Sequence, residues 1–190
     1  MTLDGILPFA RILLEKTMSA GSFAVDATAG NGHDTLFLAK LVGESGHVFS
    51  FDVQEQAIKN TGERLKQASV SNRVSLYHSG HEQAAKLIPA DYHGRLSAAI
   101  FNLGYLPKGD KSIVTKPNTT IEAVQQLFTM LKTGGVIVLV IYHGHEEGAA
   151  EREAVVLFTE TLDQKHAHVM RYEFINQANN PPFIIAIEKR

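Results

Sequence analysis

Residues 168–188 read HVMRYEFINQANNPPFIIAIE, and this ending decides the fold. His168–Ile175 and Phe183–Glu188 have the apolar, β-branched and aromatic content of strands, and Gln177–Pro182 between them carries the Asn and Pro residues of a turn. A connection this short leaves no room for a crossover helix, so the two strands must be antiparallel. The chain before them reads differently. Strands at Ser22–Ala27, His47–Phe51, Arg73–His78, Leu96–Phe101 and Val136–Tyr142 alternate with helices at Asp34–Val42, Gln54–Ala68, His81–Leu87, Thr119–Leu131 and Glu147–Leu162. This alternation predicts a doubly wound, Rossmann-like α/β sheet of seven strands, mostly parallel, with an antiparallel last strand and helices on both faces. Leu96–Phe101 is apolar throughout after Ser97, as a central strand covered on both faces requires.

The 190 residues, 44% of them apolar and 20% charged, suit a single globular domain spanning 1–190, with no repeat or linker. The absence of cysteine excludes both a disulfide scaffold and a thiolate zinc site. Met1–Lys16 contains Asp4, Arg11 and Glu15 and reads as an amphipathic helix on the domain, not as a signal peptide or membrane span. The expected location is therefore cytoplasmic. Lys and Arg number 18 against 20 Asp and Glu, a formal charge of −2. That balance lacks the basic excess of a protein gripping a long nucleic-acid backbone, so any RNA contact must come from a local patch or a partner subunit.

Between the first strand and the first crossover helix runs Val25-Asp26-Ala27-Thr28-Ala29-Gly30-Asn31-Gly32-His33-Asp34-Thr35. Gly30 and Gly32 allow a tight turn and a close approach to a ligand, and the helix that follows aims its N–H groups at the same spot. Asp52, about 20 residues further on with Val53 and Gln54 beside it, can accept both hydroxyls of an adenosine ribose. Position 35 is Thr where a dinucleotide fingerprint wants a small residue, and Asp26 suits an ammonium better than a pyrophosphate. The expected cofactor is S-adenosylmethionine, which has an ammonium, a carboxylate and a ribose. Its adenine would reach Gly80-His81-Glu82, where His81 and Glu82 read equally well as caps of the short helix.

The fourth strand runs into Phe101-Asn102-Leu103-Gly104-Tyr105-Leu106-Pro107-Lys108, a loop on the ligand side of an open α/β sheet. Asn102-Leu103-Gly104-Tyr105 resembles the Asn-Pro-Pro-Tyr motif of methyltransferases that act on amino nitrogens. The resemblance implies that Asn102, also beside the cofactor, aims an amine lone pair and that Tyr105 lines the acceptor pocket. Leu103 and Gly104 replace the two prolines. Tyr142 and His143, at the end of the fifth strand, are the expected proton acceptors. Leu106, Pro107 and Lys108 are candidate substrate contacts. Asn180-Pro181-Pro182-Phe183 matches the same motif literally but precedes the last strand, so it reads as a turn whose Asn180 and Phe183 can touch substrate. His143-Gly144-His145, and likewise His166 and His168, alternate along extended chain and so point to opposite faces, which argues against a metal site.

Together with Tyr142-His143-Gly144-His145 and Asn179-Asn180-Pro181-Pro182, the cofactor loop and Asn102-Leu103-Gly104-Tyr105-Leu106-Pro107 resemble one bacterial family of class I methyltransferases, long labelled rRNA methylase. Its members (the MnmM or YtqB type) are described as tRNA methyltransferases that convert 5-aminomethyl-2-thiouridine at the wobble position to its methylaminomethyl form. The resemblance spans essentially the whole chain. It implies that Gly30, Gly32 and Asp52 hold S-adenosylmethionine, that Asn102 and Tyr105 act on the amine, and that the enzyme is a homodimer. Lys108, Lys111, Lys116 and Arg11 would supply the contacts to the tRNA anticodon region. Three other readings compete: a methyltransferase of another RNA or a small-molecule amine, an NAD-dependent oxidoreductase, and a non-catalytic nucleotide-binding module.

Overall fold

The computed structural model describes residues 2–104, 115–142, 146–178 and 180–190. Its strands are β1 (Phe23–Asp26), β2 (His47–Asp52), β3 (Val74–His78), β4 (Leu96–Leu103), β5 (Leu131–Ile141), β6 (Ala167–Tyr172) and β7 (Phe183–Lys189). All seven join one sheet in the order β3-β2-β1-β4-β5-β7-β6. The first five pair in parallel, and β7 runs antiparallel to both β5 and β6. The fold is the expected one. Strand order reverses between β1 and β4, so the crevice at their carboxyl ends is the switch point where open α/β sheets bind ligands.

Alternation along β5 shows why both faces are covered. Ile137, Leu139 and Ile141 point into a core with α4 (Ala84–Leu87), α5 (Pro117–Met130) and α6 (Glu146–Glu160). Val136, Val138 and Val140 point into a second core with α1 (Ile6–Thr17), α2 (His33–Val42) and α3 (Glu55–Gln67). Helix α1 buries Ile6, Ala10 and Leu14, spaced by four along one face, and packs across β4, β5 and β7.

Boundaries move where backbone chemistry outweighs composition. Pro117, with its fixed φ, opens α5 two residues before the expected Thr119. The same helix ends at Met130, because Leu131 is already extended and pairs with Leu96. Strand β4 runs two residues past Phe101, Asn102 pairing with Val140 and Leu103 with Ile141. Strand β6 stops at Tyr172, short of the expected Ile175, which is almost fully exposed. No helix among the described residues is long and apolar enough to cross a membrane.

Candidate functional site

The loop after β1 is held from beneath by side chains rather than by a regular ladder. Gly30 and Gly32 both have positive φ, at 54° and 76°. Gly30 donates its N–H to Asp52 Oδ2 at 2.9 Å, and Thr61 Oγ1 donates to its carbonyl at 3.1 Å. A Cβ on Gly32 would stand 2.9 Å from the Thr61 Cα, so only glycine lets α2 start this close to α3. Helix α3 clasps Asn31 twice, through Arg64 Nε to its carbonyl at 2.7 Å and Asn60 Nδ2 to its Oδ1 at 3.0 Å.

Asp26 requires a correction. It is fully buried, accepting from the Thr28 N–H at 3.1 Å and from Thr35 Oγ1 at 2.6 Å. Burial foremost, and then the nearby Asp34 charge, push its pKa up to about 7. It therefore braces the loop and cannot meet a ligand's ammonium. Thr35 is equally buried and receives a hydrogen bond from Ser50 Oγ, so it locks Asp26 instead of facing a cofactor. Ala29 is also buried, with its N–H on the Phe51 carbonyl and its own carbonyl receiving the Gly32 N–H.

Asp34 is the carboxylate that remains accessible. Its Oδ2 receives Asn102 Nδ2 at 2.9 Å, and its Oδ1 pairs with Arg11 Nη2 at 3.3 Å. The Asn102 backbone N–H is held by Thr28 Oγ1 at 2.7 Å. A carboxylate only accepts, so the amide nitrogen of Asn102 must face Asp34 and its oxygen must face away. No described residue donates to that oxygen. Arg11, expected as a phosphate contact, joins this cluster and lies over the Phe37 ring at 5.1 Å, with its side chain still 45% exposed.

At the end of β2, Asp52 takes the Gly30 and Gln54 N–H groups, both at 2.9 Å. A carboxylate has about four acceptor positions, so two remain for the hydroxyls of a ribose. Val53 beside it is 56% exposed and offers an apolar face for a base. His81 differs from expectation: it is buried, with Nδ1 3.0 Å from the Ala27 carbonyl, and burial lowers its pKa. It is a neutral buttress under the loop, and Glu82 curls over Gly80.

Tyr142 keeps its place next to the site, since its N–H bonds to Leu103 O at 3.1 Å. Burial and the Asp34 charge raise its pKa, so the phenol keeps its proton and is disfavoured as the ionised base that would take one from an amine. Asn180 is exposed with φ 49°, at the sheet end that carries Tyr142, as a turn residue should be. Phe183 is corrected: it is 1% exposed, pairs with Ile141 and supports Arg171 over its ring at 4.4 Å. Lys116 is exposed just before α5. Tyr105, Leu106, Pro107, Lys108, Lys111, His143, His145 and Asn179 lie outside the described residues.

Sequence reasoning passed over Glu151. It is buried in α6, accepts from Thr120 Oγ1 at 2.7 Å and from Thr115 Oγ1, and Thr115 Oγ1 in turn receives the Gly104 N–H at 3.0 Å. It thus secures the chain on both sides of residues 105–114. The available signal was its spacing, four before Val155 and eight before Thr159 on the buried stripe of the helix.

The sheet order and the crevice at β1, β2 and β4 define the chain's class: it has the fold of the S-adenosylmethionine-dependent methyltransferases. An O-methyltransferase of that type from Thermotoga maritima superposes at TM-score 0.66, covering 100% of this chain and 68% of its own at 16% identity. The family described as "Putative rRNA methylase" matches residues 48–188, and the chain belongs to it. Over 188 residues it is 35% identical to the "tRNA (mnm(5)s(2)U34)-methyltransferase, chloroplastic" of Arabidopsis thaliana, covering 95% of this chain and 68% of that one. A "putative rRNA-methylase" from Clostridium thermocellum superposes at TM-score 0.96 with 45% identity, each chain covered in full at 100%. A "putative methyltransferase" from Streptococcus mutans, in complex with SAH, superposes at TM-score 0.89 with 38% identity over 99% of both chains.

Proposed function

We propose that this member of the family is a tRNA N-methyltransferase that uses S-adenosylmethionine to methylate the primary amine of 5-aminomethyl-2-thiouridine at the wobble position. The observation that carries the reading is the orientation of Asn102. With its amide nitrogen on Asp34 and its backbone held by Thr28, its oxygen is a fixed acceptor at the mouth of the switch-point crevice. An acceptor without a described donor suits an incoming N–H, and an amine held by that N–H presents its lone pair elsewhere. The sequence similarity to the plant tRNA enzyme supports the choice of acceptor.

The cofactor supplies a sulfonium-bound methyl group that is already activated for transfer. The chain's own residues then have mostly to align the reactants and exclude water. Asp52, itself held by the Gly30 N–H, would fix the ribose end, and Asp34 would fix the ammonium of the amino-acid end. Asn102 orients the neutral amine for in-line attack, in which the nitrogen–carbon bond forms as the carbon–sulfur bond breaks. The surplus amine proton then passes to solvent. Tyr142 holds its own proton, so it is not the base that takes the proton from the amine. With a net charge of −2, phosphate contacts are local, and exposed Lys116 is the described candidate.

The test is nucleoside mass spectrometry on tRNA carrying the unmethylated aminomethyl nucleoside, after incubation with the protein and S-adenosylmethionine. One added methyl group on that nucleoside is the expected result. No gain there, with S-adenosylhomocysteine still bound, overturns the acceptor. Failure to bind S-adenosylhomocysteine at all overturns the cofactor.

A further inference from the structure

The loop that receives the cofactor is acidic. Asp26, Asp34 and Asp52 lie close enough that the latter two raise the pKa of the first. A helix N-terminus ordinarily attracts a carboxylate, but α2 carries Asp34 in its first turn with Asp26 beneath it. An incoming anion would be repelled unless a cation stood beside it. Two described arginines reach this loop. Arg64 has its Nε on the Asn31 carbonyl at 2.7 Å and its Nη2 3.4 Å from His33, so it faces the α3 side. Arg11 comes from the opposite direction, on the N-terminal helix, and meets Asp34 itself.

We infer that Arg11 binds the α-carboxylate at the amino-acid end of the cofactor, so that Arg11 and Asp34 together clamp a zwitterion. The inference rests on the S-adenosylmethionine reading above and extends the site to α1, which lies outside the family match at 48–188. An amino acid carries its ammonium and carboxylate on one carbon, and this pair presents an acceptor and a donor side by side at 3.3 Å. The Arg11 side chain is 45% exposed and that of Asp34 only 15%, so the guanidinium is the partner open to an arriving ligand. One donor nitrogen is engaged by Asp34, and no other described residue accepts from the guanidinium. The Phe37 ring beneath it at 5.1 Å limits its drift. Through Asp34 the clamp also touches Asn102, which places the amino-acid end of the cofactor next to the group that aims the amine.

The experiment is calorimetric binding of three ligands to the wild type and to Arg11→Ala, Arg11→Lys and Arg64→Ala. S-Adenosylhomocysteine has both charged groups. S-Adenosyl-3-thiopropylamine keeps the ammonium and lacks the carboxylate, and 5′-methylthioadenosine lacks both. Arg11→Ala should weaken S-adenosylhomocysteine by about 20-fold, the loss of a charge-assisted hydrogen bond. Binding of the other two ligands should be unchanged, or tighter for the amine, because Asp34 is relieved of its partner. Arg11→Lys should recover part of the loss, since a point charge remains. Undiminished binding of the two shorter ligands also shows that the variant is folded. Equal losses for all three ligands, no loss for S-adenosylhomocysteine, or a carboxylate-selective loss in Arg64→Ala instead would each overturn the assignment of Arg11. Wild-type protein that binds none of the three would sink the cofactor reading itself.

Discussion

Asn102 on β4 and Asp52 at the end of β2 stand on either side of β1, and the proposed mechanism gives them different work. If Asn102 aims the acceptor as proposed, Asn102→Ala should lower turnover about 100-fold and leave S-adenosylhomocysteine affinity nearly unchanged. Asp52→Ala should do the reverse, weakening S-adenosylhomocysteine by about 100-fold, because it removes the proposed ribose acceptor and releases the Gly30 and Gln54 N–H groups. Calorimetry alongside single-turnover kinetics separates the two, and equal loss of affinity in both variants would contradict the division. Asp26 gives a pH prediction. Its folded pKa of about 7 lies above the ordinary 3.8, so between those values the folded protein keeps a proton that the unfolded chain has released. The stability tied to that proton is full below about pH 4 and is lost as pH rises through 7. Asp26→Asn removes the ionisation, so its stability relative to wild type in urea should rise by roughly 2 kcal/mol between about pH 5 and about pH 8. A difference that stays constant with pH would show that Asp26 ionises normally in the folded protein.

At the scale of elements, two junctions set the site. The start of α2 approaches α3 only because residue 32 has no Cβ and tolerates φ 76°. Gly32→Ala should cost about 2–3 kcal/mol in chemical denaturation, from the left-handed backbone and the forced contact with Thr61. The second junction is the anchoring of residues on both sides of 105–114 to α6 through Glu151. Removing that acceptor as Glu151→Ala leaves the Thr115 and Thr120 hydroxyls without it in a buried setting, a loss of about 2–3 kcal/mol. Glu151→Gln keeps an oxygen for one of them and should lose less. If the two variants melt alike, the anchoring role is refuted.

Across the whole molecule, stability is concentrated where the sheet is covered twice. Strands β4 and β5 pair over their shared length and bury side chains in both cores, whereas β6 lies at an edge with Val169 and Met170 exposed. Hydrogen exchange should therefore find the slowest amides in Ile137–Ile141 and rapid exchange along β6. Comparable protection in both strands would contradict this ordering.

The sequence by itself determined the layer architecture, because that follows from local pattern. The period-two strands, the intervening helical stripes and the short link before Phe183 leave one plausible sheet. It also marked the tight turn after β1, since Gly30, Gly32 and Asp52 are spaced along the chain as the turn and strand ends require. What only the tertiary structure decided is which polar side chains face a ligand and which hold the wall behind it. Asp26 and Asp34 are both carboxylates of one short segment, yet one is sealed under Thr35 and the other opens toward Arg11 and Asn102. Phe183 and Glu151 likewise took their depth from elements far away in sequence. Burial depends on the sum of all packed neighbours, and no local spacing carries that sum. The same reason hid Arg11: its partner lies 23 residues on, and only the docking of α1 against the sheet brings the two together.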